Sequence, residues 1–106
     1  MAYEAAHSPE HFHALISGEN PSLVYFFSSD CPPCKSLSPR IEELMNRYPA
    51  LVWTKIDPAV FPQIAAQNMV FTVPIVLIFR RGKEIYKSSR FVDLDKIEQI
   101  LTAPEA

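Results

Sequence analysis

The sequence predicts an α/β fold, a central mixed sheet of four to five strands with helices on both faces. Three observations carry this expectation. Short runs rich in β-branched and aromatic residues alternate with segments whose apolar residues recur at helical spacing. The resulting order is helix, strand, helix, strand, helix, strand, strand, helix. Early strands joined through helices are expected to be parallel and right-handed, while a final hairpin adds an antiparallel edge. Finally, 106 residues, 48% of them hydrophobic, suit a single domain over residues 1–106 with one packed interior.

The first helix starts at Ser8-Pro9-Glu10. Serine caps free N–H groups, proline tolerates the first helical position, and the acid complements the dipole. Phe12, Leu15 and Ile16 follow at helical spacing, and Gly18 suits the position just past the end. "SLVYFFS" (22–28) reads as a buried strand. From Cys34 onward, Leu37, Ile41, Leu44 and Tyr48 form one apolar stripe on a long helix, which Pro39 should kink. "ALVWTKID" (50–57) is a second strand, a short helix spans about Pro62 to Asn68, and "VPIVLIF" (73–79) is a third strand. Arg81-Gly82-Lys83 is the turn of a hairpin into "EIYKS", and its basic neighbours Arg80, Arg81, Lys83 and Lys87 read as a solvated surface. Asp93 caps a last helix whose Leu94, Ile97, Ile100 and Leu101 face inward.

Composition narrows the function. A net charge of −2 lacks the basic excess of a nucleic-acid binder. No apolar run approaches the roughly 20 residues of a membrane helix, so no membrane association is expected. The opening "MAYEAAHSPEHFHALI" has neither a basic n-region nor a continuous apolar h-region, and the chain is expected in the cytoplasm. Two cysteines are too few for a disulfide scaffold.

Those two cysteines, in "SSDCPPCKSLSPRIEEL" (28–44), are the candidate catalytic residues. Cys31 directly follows the first strand and sits at the N-terminus of the long helix, where N–H groups and the dipole favour a thiolate. Cys34, one turn on and less exposed, is placed to attack a mixed disulfide and release the substrate. Two other readings remain: a pair of small buried residues, or half of a zinc site. Zinc would have to recruit His7, His11 and His13. His11 and His13 diverge on a helix and His7 precedes its cap, so no metal is expected.

Strand, Cys-Pro-Pro-Cys-Lys, then a helix with Pro39 five residues after Cys34, resembles the thioredoxin family. So does "IAAQNMVFTVPIVLIFRRGKEI", which matches that family's helix, loop, Val-Pro dipeptide, strand and glycine hairpin. The similarity covers residues 8–102. It implies a thioredoxin fold with Pro74 in the cis form beside the sulfurs, and the backbone of Val73 free to pair with an extended substrate segment. Pro32 and Pro33 complete the implied substrate-binding set.

Four departures from the family pattern bear on reactivity. Asp30 stands where the family often has Trp, and Pro32 where it usually has Gly. A carboxylate beside the developing thiolate and the loss of an N–H should both make Cys31 less acidic, while the dipole and Lys35 act the other way. Tyr25 and Trp53 occupy the positions of a buried Asp and a Lys. Without that carboxylate Cys34 lies in apolar surroundings, and slow resolution of mixed disulfides is expected unless the Tyr25 hydroxyl or a water takes the proton. Arg90 replaces a glycine bordering the substrate groove, where it would narrow access or pair with acidic substrates.

The expected activity is thus thiol–disulfide exchange on disulfide-bearing protein substrates, with Cys31 attacking and Cys34 resolving. No cofactor is needed, and a reductase or another dithiol would donate electrons. The rival reading is an interaction module on the same fold with weak redox activity.

Overall fold

In the computed structural model, which describes residues 3–104, eight elements follow in order. They are α1 (Pro9–Leu15), β1 (Ser22–Phe26), α2 (Pro32–Asn46), β2 (Trp53–Ile56), α3 (Pro62–Gln67), β3 (Ile75–Arg80), β4 (Lys83–Lys87) and α4 (Leu94–Thr102). The element order is the one read from the sequence. The four strands stand in the order β2-β1-β3-β4. Beyond β2, an isolated bridge between Tyr3 and Trp53 adds a stub rather than a fifth strand.

Local chemistry fixes the helix starts. The Ser8 hydroxyl accepts from the His11 N–H at 3.0 Å, and Asp93 Oδ1 accepts from the Lys96 N–H at 3.1 Å. The end of α1 departs from expectation. Its cap is Ile16, and Gly18 does not enter the left-handed region. The reason is tertiary: the β3–β4 turn supplies donors to this end of the chain. Gly82 N–H reaches the Ile16 carbonyl and Arg81 N–H the Gly18 carbonyl, each at 2.9 Å. Arg81 (φ 54°) and Gly82 (φ 78°) form a two-residue turn with both φ positive. Lys83 therefore already belongs to β4.

The direction of β3 is a second correction. β1 and β2 are parallel, but β3 runs antiparallel to β1 although a helix leads into it. Helix α2, with 15 residues, spans about 22 Å and carries the chain back to the start of the sheet. The six residues of α3 span only about 9 Å, so that connection stays at the carboxyl end of β1 and enters β3 from there. Three loops meet at that end as a result: those following β1 and β2 and the one preceding β3.

Alternation along the central strands divides the interior into two layers. Val24, Phe26, Ile75, Leu77 and Phe79 pack with Phe12, Ile16, Ile64 and Ala65 on the α1/α3 face. Leu23, Tyr25, Val76 and Ile78 pack with Leu37, Ile41, Leu44, Met45, Ile97 and Leu101 on the α2/α4 face. Helices thus cover both faces, as predicted.

Candidate active site

The loop after β1 delivers Cys31 to the N-cap of α2, with Pro32 and Pro33 as the first two helical residues and Cys34 as the third. Proline has no N–H, so the first donor the helix can offer is that of Cys34. It points at the sulfur: Cys34 N–H donates to Cys31 Sγ at 3.2 Å. The two cysteines form a disulfide with their Cα atoms 5.2 Å apart. Cys31 retains 9% of its surface and Cys34 1%, so Cys31 is the sulfur an incoming molecule reaches first. Pro32 and Pro33 are exposed beside it.

A cleft of about 330 Å³ lies against this loop. Ser28, Ser29 and Asp30 form one wall, Asp57 to Ala59 a second, and Val70 to Val73 the third. These are the three loops that the antiparallel entry of β3 brings together. Val73–Pro74 is a cis peptide. Pro74 is buried and Val73 half-buried. Since Phe26 pairs with Ile75, Pro74 sits just beyond the end of β1, where the chain turns toward Cys31.

The expected tuning residues fall in different places. Asp30 is exposed at the cleft, its N–H held by the Ser28 hydroxyl at 3.1 Å. Arg90 is exposed and does not line the cleft. It follows Ser88, which is tied to Val76 at the start of β3. Trp53 is buried in the α2/α4 layer with the Tyr3 ring edge-on at 4.9 Å.

Tyr25 is fully buried in the same layer, and its phenol reaches the redox helix. The hydroxyl donates to the Cys34 carbonyl at 3.1 Å and lies 3.0 Å from Ser38 Oγ. Ser38 Oγ itself donates to the Cys34 carbonyl at 2.8 Å. Burial pushes the phenol pKa above its ordinary value, and the hydrogen bond with Ser38 offsets part of that.

Three features escaped the reading of the sequence. Ser38 had a signal, since a serine four residues after Cys34 can reach back to its carbonyl. Phe71 lines the cleft with 79% of its surface exposed, a position set by the loop before β3. Lys55 shares a face with Trp53 two residues on, its Nζ 5.7 Å from the Phe27 ring centroid and 4.0 Å from Glu42 Oε1. Among the described residues no three His, Cys, Asp or Glu side chains gather as metal ligands, and His7 stacks on His11.

A family model described as Thioredoxin matches residues 4–103. The chain belongs to the thioredoxin family. It is 33% identical over 76 residues to thioredoxin-1 of Saccharomyces cerevisiae, covering 72% of this chain and 74% of that one. It is 32% identical over 80 residues to a thioredoxin of Chlamydia trachomatis, covering 76% and 78%. The solved structure of Fasciola hepatica thioredoxin superposes with a TM-score of 0.83 at 24% identity, covering 93% of this chain and 96% of that one, which shows the fold. This member of the thioredoxin family is a protein-disulfide oxidoreductase that works through its Cys31–Cys34 pair. Membership implies disulfide-bearing protein substrates and a reductase. No helix among the described residues is long and apolar enough to cross a membrane.

Proposed function

We propose that the protein reduces protein disulfides in the cytoplasm, with Cys31 as the attacking sulfur and Cys34 as the resolving one. The observation that carries this reading is the placement of Cys31: it is the more exposed sulfur, and it accepts a helix N-terminal N–H. Its thiolate attacks one sulfur of the substrate disulfide and expels the other as a thiolate. Cys34 then attacks Cys31 Sγ, the bond from Cys31 to the substrate breaks, and the second substrate sulfur leaves. The substrate ends as a dithiol and the protein as a disulfide, so a reductase or another dithiol must return two electrons. The chemistry draws on no other cofactor.

Substrate orientation falls to the backbone of Val73, with Pro74, Pro32 and Pro33 forming the rim. An extended segment docking there would add to the sheet by main-chain hydrogen bonding. Asp30 opposes the Cys31 thiolate. Residues 1–106 act as one domain, because both apolar layers share one sheet. A cytoplasmic setting suits this role, since a close cysteine pair in a reducing compartment serves catalysis rather than scaffolding.

Equilibration with glutathione or dithiothreitol buffers tests the direction of electron flow. A reduction potential near about −270 mV supports the reductase, and one near about −120 mV replaces it with an oxidant. Cys34→Ser should accumulate mixed disulfides with substrate proteins, whereas Cys31→Ser should accumulate none.

A further inference from the structure

The turn of α2 that carries Cys34 is bracketed by Pro32, Pro33 and Pro39. Pro39 has no N–H to give the Lys35 carbonyl, so the helix loses one of its own bonds just after Cys34. Attachment comes instead from two hydroxyls on the Cys34 carbonyl, Ser38 Oγ at 2.8 Å and Tyr25 OH at 3.1 Å. The hydroxyls are 3.0 Å from each other, so two protons serve a closed triangle of three contacts. Tyr25 lies on the central strand, paired with Lys55 of β2 on one side and Val76 of β3 on the other. The triangle therefore ties Cys34 to the best-supported part of the sheet. Cys31 has no such tie: it is the helix cap, and its sulfur is held by the Cys34 N–H.

We propose that Ser38 and Tyr25 are positioning residues that clamp the Cys34 carbonyl and thereby hold its sulfur in place for the resolving step. This rests on the assignment of Cys31 as the attacking sulfur and Cys34 as the resolving one. In the mixed disulfide the Cys31–Cys34 bond is open, and only the backbone and its neighbours keep the two sulfurs close. The rate of an intramolecular attack depends steeply on such placement. Both clamp groups are neutral donors to a carbonyl, so neither takes the thiol proton. Cys34 gives that proton to solvent, its thiolate attacks Cys31 Sγ, and the departing sulfur is reprotonated from solvent. Burial keeps the Tyr25 phenol protonated and so available as a donor over the working range.

Stopped-flow reaction of the reduced protein with Ellman's reagent separates the two attacks. One thionitrobenzoate is released when Cys31 attacks the reagent and a second when Cys34 attacks Cys31. In Tyr25→Phe/Ser38→Ala the first phase should stay within about twofold, and the second should slow roughly thirtyfold, the scale of two lost hydrogen bonds. The slowing should be the same at every pH from about 6 to 9, since placement rather than proton affinity is altered. Ser38→Thr, which keeps a hydroxyl with the same reach, should restore the single-site loss of Ser38→Ala. An unchanged second phase in a variant whose melting temperature has fallen would reduce the hydroxyls to helix stabilisers and overturn the proposal. Equal slowing of both phases, or a shifted pH profile of the second, overturns it too. If Cys31→Ser still gives a normal first phase, the assignment of the attacking sulfur fails, and the clamp falls with it.

Discussion

Neighbouring residues of β1 serve two different interiors. Val24 and Phe26 face α1 and α3, in a layer whose buried members are all hydrocarbon side chains. Leu23 and Tyr25 face α2 and α4, where a phenol reaches through the apolar packing to the backbone of a redox cysteine. The first layer has no side-chain hydrogen bond to the cysteine pair, and its contribution is burial. The second gives up some apolar uniformity to fix one carbonyl. The two faces of β1 thus differ in whether a side chain reaches Cys34, and the two-residue period of the strand makes that difference possible.

The largest expected effect tests the α1/α3 layer. Leu77 is fully buried there, so Leu77→Ala should cost about 2–5 kcal/mol in urea unfolding. Both phases of the Ellman's reaction should nevertheless remain within about twofold in the folded fraction. A selective loss of the second phase would show that the faces are not separable.

A smaller effect tests the α2/α4 layer through pH. The buried Tyr25 phenol titrates above the usual tyrosine value of 10.0, so the folded chain keeps a proton that the unfolded chain loses there. Its contribution to stability is complete below pH 10 and is lost as pH rises through the folded value. Urea midpoints measured from pH 9 to 11 should fall more steeply for the native chain than for Tyr25→Phe. Parallel curves would mean that the phenol is not shielded as its burial indicates.

The smallest effect concerns the rim of the site. Asp30 is exposed, so solvent and salt screen its carboxylate. Removing the charge in Asp30→Asn should raise the alkylation rate of reduced Cys31 at neutral pH about twofold, since a carboxylate no longer opposes the thiolate. Alkylation by iodoacetamide as a function of pH reads this directly. The difference should shrink in 1 M salt, where screening is nearly complete. A difference that persists in high salt would locate the effect in hydrogen bonding rather than charge.

The elements themselves were legible because their signals are local. Ser8 and Asp93 announce helix starts within one turn, and "SLVYF" announces a buried strand by its own composition. The redox pair was legible for the same reason, since Cys31 and Cys34 lie within one helical turn of each other and directly after a strand. Gly18 misled because the carbonyls at the end of α1 find donors from the distant β3–β4 turn, so a left-handed glycine is not used. The direction of β3 was missed because a helix between two strands usually signals a crossover, and only the shortness of α3 keeps the chain at one end of the sheet. Tyr25 was noticed as a replacement, but its partner was not. Ser38 is thirteen residues away, and nothing in the sequence states that α2 packs with that hydroxyl over β1.

By itself, the sequence determined the order of the elements, the starts of α1 and α4, and that two sulfurs stand at a helix N-terminus. These follow from side-chain period, capping chemistry and proline's missing N–H, which act over a few residues. Strands β2 and β3 begin at Trp53 and Ile75, two to three residues later than their composition suggests. Tertiary structure alone decided that three loops close on one cleft, that Lys55 lies against Phe27, and that two hydroxyls meet on the Cys34 carbonyl. Apart from the bond from Ser38, only four residues from Cys34, those contacts join residues on different elements. They depend on how α2 lies across the sheet and on the end from which β3 enters it, which packing of the whole chain sets and no local pattern records.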